Sequence, residues 1–254
     1  MFKIGLQMYS IRTLEGNLMD HLELAAKLGF DGVEFAGFGS YSAAEVKEKL
    51  DSLGLICMGT HTGINLLRED LPGQIAFHKE IGALSLNCPG IHPDCGEDAS
   101  DEEKLAAWKA LAGELDAIGK AVTEAGMAFC YHNHSFEFAP IGDTCPEEII
   151  FDNTDPAYVK VELDTCWIEN TGRSSVEFME KYKDAMHLLH AKELTAVGDP
   201  TAKVLGQGCI PFPEILEEAK KLGIGTLIIE HEGTEGDVAG DIREGLLYLR
   251  SLDK

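Results

Sequence analysis

The sequence predicts an α/β fold, a (β/α)8 barrel (TIM barrel) that spans residues 1–254 as a single domain. Eight short apolar segments alternate with longer amphipathic segments along the 254 residues, and such barrels have roughly 250 residues. Five glycines lie between an amphipathic segment and the next apolar one, where helices commonly end. The main competitor is a doubly wound sheet, which usually carries a glycine-rich phosphate loop after its first strand. Here the first apolar segment leads into Tyr9-Ser10-Ile11-Arg12 instead.

The eight apolar segments are predicted to be buried strands, because each is short and bounded by Gly, Pro or polar residues. They cover residues 3–9, 32–36, 55–61, 84–88, 127–134, 159–164, 186–191 and 225–230. The amphipathic segments are predicted to be helices, because their apolar residues recur at helical spacing. They cover residues 17–28, 43–53, 101–125, 175–183, 213–222 and 238–252. Ser42 is a plausible N-cap of the second helix, and Gly54 ends it.

The composition excludes two classes of partner. The chain has 21 Lys and Arg against 44 Asp and Glu, which gives a net charge of −23. Such an acidic surface repels phosphate backbones and anionic lipid headgroups. We therefore expect a protein that binds neither nucleic acid nor a membrane surface.

The cysteines and the N-terminus favour a cytoplasmic protein. The seven cysteines are odd in number and include no C-x-x-C pair, which suits reduced thiols better than a disulfide framework. The chain opens with Met1-Phe2-Lys3-Ile4, without the basic and long apolar regions of a secretory leader. No apolar segment approaches the length of a membrane-spanning helix.

Ionisable residues at the ends of the later strands predict a metal site. Four successive strand ends carry Glu137, Asp164, His190 and Glu230, and in a (β/α)8 barrel the carboxyl ends of the strands build the active site. Three carboxylates and an imidazole would repel one another without a neutralising cation. Their donor atoms suit one divalent ion, Mn, Mg, Co or Zn. Taken singly, Asp164 could instead cap the next helix, and Glu230 could be solvated in a loop.

Five further residues are candidates for substrate binding. His132 and His134 share a face of the fifth strand, and Lys192 shares the face of His190 two residues earlier. Trp167 could stack on a sugar ring, and His61 ends the third strand. Each has a structural alternative: the histidines could bond neighbouring strands, Lys192 could lie on the surface, and Trp167 could belong to the core.

Several motifs together resemble the sugar phosphate isomerase/epimerase family, whose members have a xylose-isomerase-like barrel. The matching segments are 29–34 (GFDGVE), 131–138 (YHNHSFEF), 162–167 (ELDTCW), 189–193 (LHAKE), 206–208 (GQG) and 228–230 (IIE). The resemblance implies that Glu137, Asp164, His190 and Glu230 bind one divalent metal. In the ketose 3-epimerase branch, the two glutamates also move a proton to and from a substrate carbon. That branch has a His where this chain has Trp167, and its Arg beyond the His ligand has no counterpart here.

The leading hypothesis is a metal-dependent isomerase or epimerase that acts on a sugar or keto-sugar through an enediolate, with Glu137 and Glu230 transferring the proton. One alternative is an inosose-dehydratase-like lyase, which eliminates water from the same type of intermediate. Another is a barrel that binds metal and sugar without turnover. An endonuclease would need more His ligands and a basic groove. We expect a small carbohydrate substrate, without a phosphate because no Arg cluster is evident; the sequence leaves homo-oligomerisation open.

Overall fold

Eight parallel strands form one sheet that curls into a nearly closed barrel. The computed structural model describes residues 1–96 and 98–253. The strands are β1 (Lys3–Gln7), β2 (Gly32–Phe35), β3 (Ile56–Thr60), β4 (Ser85–Pro89), β5 (Ala128–His132), β6 (Lys160–Asp164), β7 (Met186–Ala191), β8 (Glu193–Ala196), β9 (Asp199–Lys203) and β10 (Thr226–Ile229). The barrel order is β3-β2-β1-β10-β7-β6-β5-β4, and β8 pairs with β9 in a separate antiparallel hairpin.

The two end strands of this order, β3 and β4, lie side by side. The Leu84 N–H donates to the Cys57 carbonyl at 3.0 Å, and the Thr62 N–H donates to the Asn87 carbonyl at 2.8 Å. These bonds bring the edges of the sheet together, so all eight carboxyl ends surround one mouth. The predicted barrel and its eight strands are confirmed.

Helices surround the barrel. They are α1 (Leu18–Leu28), α2 (Ala43–Leu53), α3 (Ile64–Glu80), α4 (Asp101–Glu124), α5 (Pro146–Asp152), α6 (Thr165–Asn170), α7 (Ser175–Lys181), α8 (Phe212–Leu222) and α9 (Val238–Leu252). All six predicted helices are present within two residues of the expected bounds. Ser42 caps α2 in a reciprocal capping box with Glu45, and Gly54 ends that helix at a φ of 68°, a left-handed conformation that glycine adopts without steric cost.

Three helices and the hairpin were not predicted, each for a local reason. Helix α3 contains Pro72 and a non-helical Asp70, whose side chain accepts from the Gly73 N–H at 3.0 Å and begins a second helical segment. Helices α5 and α6 have seven and six residues, too few to show a helical repeat. The hairpin strand β9 is largely exposed and lacks the apolar alternation of a core strand.

The barrel interior changes from apolar to polar along its axis. Met58, Leu188 and Ile228 pack together as a small apolar cluster inside the barrel, separate from the large core between the sheet and the helices. Two residues further along the same strands, Thr60, His190 and Glu230 are polar and buried, and the neighbouring strands β2 and β6 add the buried Glu34 and Glu162. The apolar cluster closes the amino-terminal end, and the polar layer lies beneath the mouth.

The cysteines behave as core residues. All seven are free thiols, and five of them are buried. Among the described residues, no helix combines the length and apolar character needed to cross a membrane.

We expect Gly32→Ala to destabilise the barrel. A Cβ atom at Gly32 would lie 2.3 Å from the Ile56 carbonyl oxygen and 2.9 Å from the Met58 methyl group. The backbone of β3 must shift to relieve this clash, at a cost of about 1–3 kcal/mol. Urea unfolding measures the effect. Gly225→Ala is the matched control, because a Cβ there meets no atom within 4 Å; equal stability of the two variants would contradict the expectation.

Candidate metal centre

Three of the four predicted ligands meet at the mouth of the barrel, together with a fourth residue. Asp164, His190, Glu230 and His132 each offer one donor atom, and these atoms all lie within 4.8 Å of one another. The strand register accounts for the meeting: Asp164 pairs with His190 across β6 and β7, and His190 pairs with Ile228 across β7 and β10, two residues before Glu230. All four side chains are buried.

Asp164 divides its two carboxylate oxygens between two tasks. Its Oδ1 accepts from the backbone N–H groups of Cys166 at 2.8 Å and Trp167 at 3.1 Å, which caps helix α6. Its Oδ2 is buried and has no hydrogen-bond partner. Capping and metal ligation are therefore compatible at Asp164, because the cap made by Oδ1 fixes the carboxylate in an orientation that leaves Oδ2 free.

His190 lies between two carboxylates. Its Nδ1 is 3.1 Å from Glu230 Oε2 at the mouth, and its Nε2 is 2.6 Å from Glu34 Oε2 deeper in the barrel. Glu34 is held in place by the side-chain amides of Gln7 at 2.7 Å and Asn87 at 2.6 Å. This carboxylate orients the imidazole so that Nδ1 faces the mouth, an arrangement common around histidine ligands.

Glu137 lies outside the group of four. It sits in a short 3₁₀ turn, Phe136–Phe138. Its carboxylate accepts from the His134 backbone N–H at 2.8 Å and from the Tyr131 hydroxyl at 3.0 Å. Burial raises the pKa of Glu137 to about 7, and the nearby Asp164 carboxylate adds to the rise. The turn thus holds this carboxylate back from the mouth, in an environment that favours taking up a proton near neutral pH.

Lys192 is buried beside the candidate ligands rather than on the surface. It is 2% exposed, its Nζ donates to Glu232 at 2.6 Å, and it lies 3.9 Å from Asp164 Oδ2. The ammonium group also sits 4.0 Å from the centre of the half-buried Trp167 ring, within range of a cation–π interaction. The surface alternative for Lys192 is excluded, and its positive charge belongs to the mouth.

The three histidine candidates occupy different depths. His134 lies at the rim, half-buried, with its ring centre 6.0 Å from that of Trp167. His61 and His132 lie further in, with ring centres 4.5 Å apart. Burial lowers the pKa of His132 well below its ordinary value, and it lowers that of His134 to about 4. Both rings are therefore uncharged at neutral pH and keep a lone pair.

The carboxylates at the mouth respond unequally to burial. Burial raises the pKa of Asp164 to about 6, and Lys192 only partly offsets it. Burial also acts on Glu230, but the charges of Lys192 and His190 outweigh it and hold the pKa of Glu230 below its ordinary value. Glu230 is thus firmly ionised at neutral pH, whereas Asp164 has a pKa only slightly below neutral pH.

The residues at the mouth fit a divalent cation. The donor set comprises carboxylate oxygens and imidazole nitrogens, which suits Mn, Co or Zn better than a purely oxygen-binding ion. The buried Asp164 Oδ2 without a partner is the observation in favour, because buried polar atoms are rarely left unsatisfied. Asp164, His190 and Glu230 are the side chains placed to hold such an ion.

Glu34 and Glu162 were not among the predicted site residues. Both are completely buried, and Glu162 Oε1 lies 2.8 Å from His190 Nε2. A signal was present: side chains two residues apart on a strand share a face. Glu162 therefore points the same way as Asp164. Glu34 lies in the middle of the network but inside a strand rather than after it.

The glycine pair of the 206–208 segment has a structural role. The Glu193 carboxylate accepts from the backbone N–H groups of Gly206 at 3.0 Å and Ile210 at 2.9 Å. A Cβ atom at Gly208 would lie 2.1 Å from the Leu194 carbonyl oxygen. This segment wraps around Glu193 at the start of the hairpin.

Curated relatives of the chain are inosose dehydratases. The enzyme of Bacillus licheniformis is 24% identical over an alignment of 275 positions, gaps included, which covers 94% of this chain and 89% of that protein. The enzyme of Salmonella agona is 24% identical over 185 residues, which cover 67% of this chain and 60% of the enzyme, so the match spans less than two thirds of that relative.

Solved structures with the same fold include several sugar enzymes. A sugar phosphate isomerase/epimerase from Parabacteroides distasonis is 25% identical, with a TM-score of 0.80 over 98% of this chain and 94% of the other. The D-psicose 3-epimerase of Clostridium cellulolyticum is 17% identical, with a TM-score of 0.78 over 98% and 99%. The IolI protein with a bound zinc atom is 16% identical, with a TM-score of 0.73 over 98% and 97%. At these last two identities the likeness concerns the fold alone.

The family resemblance predicted from the short motifs is confirmed at the level of the whole chain. The sequence profile described as xylose isomerase-like TIM barrel matches residues 22–252. With the observed strand order and the polar mouth, this match establishes that the chain belongs to the xylose isomerase-like TIM barrel family.

Proposed function

We propose that this protein is a metal-dependent enzyme that removes a proton from the carbon next to the carbonyl group of a sugar or cyclic keto-polyol. The observation that supports this best is the meeting of Asp164, His190 and Glu230 at the barrel mouth, with one buried carboxylate oxygen left without a partner. Relatives named inosose dehydratase and structural neighbours named sugar epimerase agree with this class of chemistry.

Two of the proposed ligands are also the proposed proton-transfer groups. Asp164, His190 and Glu230 would hold the ion. Glu137, which its turn holds outside this group, is proposed as the fourth ligand. A divalent ion bound there supplies the positive charge that stabilises an enediolate. Glu137 and Glu230 follow different strands, so one can take the proton from a substrate carbon and the other can return it. We infer that the elevated pKa of Glu137 suits it to proton transfer near neutral pH.

The same intermediate leads to either of two products. Return of the proton gives an isomer or an epimer, whereas loss of a hydroxyl group from the next carbon gives a dehydrated product. Lys192 favours the second outcome, because its buried ammonium group at the mouth would stabilise the departing hydroxyl by its positive charge. The hydroxyl would leave as water with the proton taken from the first carbon. The inosose dehydratase relatives also favour it. We therefore propose dehydration as the second candidate, beside isomerisation or epimerisation.

The remaining substrate contacts follow from the mouth geometry. We propose that Trp167 and His134 line the rim and contact the sugar ring, while His61 and His132 lie beneath it. We propose that the substrate is a small unphosphorylated carbohydrate. We also propose that the chain is a single domain located in the cytoplasm and that it binds neither nucleic acid nor membranes. A barrel that binds metal and sugar without turnover is the alternative of another class.

We expect Glu137→Gln and Glu230→Gln to abolish turnover of a verified substrate while the barrel stays folded. Each change keeps the side-chain volume and removes the group that accepts the proton. Steady-state kinetics measure the loss, and circular dichroism checks the fold. Glu235→Gln, in the loop after Glu230 and exposed, is the matched control. Activity like that of the wild type in both of the first two variants would defeat the assignment.

The product identifies the reaction. A panel of sugars and inososes is incubated with the metal-loaded protein in deuterium oxide, and products are analysed by mass spectrometry. An epimer or isomer keeps its mass apart from incorporated deuterium, whereas a dehydrated product is lighter by one water molecule, about 18 mass units. Metal binding without deuterium exchange for any compound would favour the non-catalytic alternative.

Metal affinity should fall as the pH falls. The ion requires deprotonated carboxylates, and burial raises the pKa of Asp164 to about 6 and that of Glu137 to about 7. Protons therefore compete with the ion below pH about 7, and each competing proton weakens affinity roughly tenfold per pH unit below the pKa of its group. Competition with a chelator of known affinity between pH 5 and 8 measures this. Equal metal affinity at pH 5 and pH 8 would argue against Asp164 and Glu137 as ligands.

A further inference from the structure

A second group of donor atoms lies deeper in the barrel than the mouth. His61, His132, Glu162 and His190 each offer one atom, and these atoms all lie within 4.8 Å of one another. His61 Nε2 is 3.4 Å from Glu162 Oε2, and His132 Nδ1 is 3.8 Å from the same oxygen. His132 and His190 belong to both groups of donor atoms, but the proposed function uses none of His61, His132 and Glu162 as a ligand of the ion at the mouth.

Three members of this deeper group have buried polar atoms without a hydrogen bond. They are His61 Nε2, His132 Nδ1 and both carboxylate oxygens of Glu162, although Glu162 Oε1 lies 2.8 Å from His190 Nε2. Glu162 is 0% exposed and His132 is 2% exposed. Since the great majority of buried polar atoms are satisfied, this group of atoms on three adjoining side chains indicates a missing partner.

The charges of the deeper layer point to a cation. Glu34 and Glu162 are both fully buried. Among the residues that the structure describes, the only basic groups within 4.0 Å of either carboxylate are the imidazoles of His61, His132 and His190. A buried carboxylate is costly unless it is paired or coordinates a metal.

We propose that His61, His132 and Glu162 form a second metal site, which takes Zn²⁺. Two imidazoles and one carboxylate are a ligand set typical of zinc, and three protein ligands leave one coordination position open. His61 is the most accessible of the three ligands, with 14% of its side chain exposed.

His190 stays outside this second site and separates it from the first. Its Nε2 lies 2.6 Å from Glu34 Oε2 and 2.8 Å from Glu162 Oε1, so its N–H is directed at these carboxylates, while its Nδ1 faces Glu230. This imidazole would therefore ligate the ion at the mouth through Nδ1 and hydrogen-bond to the deeper carboxylates through Nε2. The second site does not depend on the reaction proposed for the first.

Zinc stoichiometry of the whole chain tests the proposal. Protein stripped with a chelator is checked by circular dichroism, equilibrated with Zn²⁺, passed through gel filtration, and measured by elemental analysis. We expect the wild type to bind two ions per chain, and His61→Ala and Glu162→Gln to bind one. Asp164→Asn removes the mouth ion and keeps the deeper one. His92→Ala, at an exposed histidine that belongs to neither group of donor atoms, is the matched control and keeps two.

Anomalous diffraction at the zinc edge locates the ions. A peak within coordinating distance of His61, His132 and Glu162 is the supporting result. A single peak at Asp164 and Glu230, with water at the deeper position, would overturn the second site and leave the proposed function intact. A deeper peak without one at the mouth would refute the proposed function instead. His61→Ala is the decisive variant if Glu162→Gln does not fold.

Discussion

The neutralisation of buried carboxylates is the constraint on which the rest of this structure depends. Glu34, Glu162, Asp164 and Glu230 project into one barrel, all of them buried. Ionised groups in such a place are tolerated only when paired or bound to a cation. The chain has few cations to offer, with 21 Lys and Arg against 44 Asp and Glu. Inside the barrel, the chain places imidazoles and one buried lysine beside these carboxylates, and we propose that divalent metal ions bind there as well.

His190 is the centre of this arrangement. It contacts Glu230 on one side and Glu34 on the other, and Gln7 and Asn87 fix Glu34 from β1 and β4. Elements from opposite parts of the barrel thus hold a single ring. The site consequently rests on strands, whose positions the whole sheet determines, rather than on loops, and rigid support of this kind keeps ligands in place before an ion arrives.

Different parts of the molecule determine the fold and the reaction. Relatives and neighbours that share this barrel bear the names of dehydratases, isomerases and epimerases, so a shared barrel does not fix the reaction. The reaction depends on the side chains of the site. Here Trp167, Lys192 and Glu232 adjoin the candidate ligands without belonging to them.

The sequence by itself determined the barrel, since strand and helix periodicity, glycines at helix ends and chain length are local properties. It also located Asp164, His190 and Glu230, because polar residues directly after buried strands stand out in the pattern. It did not show that Glu137 would be held back by a tight turn, that Lys192 would be buried, or that Glu34 and Glu162 would face His190. The bonds that hold Glu137 are local, but they depend on the exact conformation of its turn. Only the tertiary structure decided the other two points, because they depend on which strands become neighbours when the sheet closes; Glu34 and His190, 156 residues apart in the chain, then share one interior.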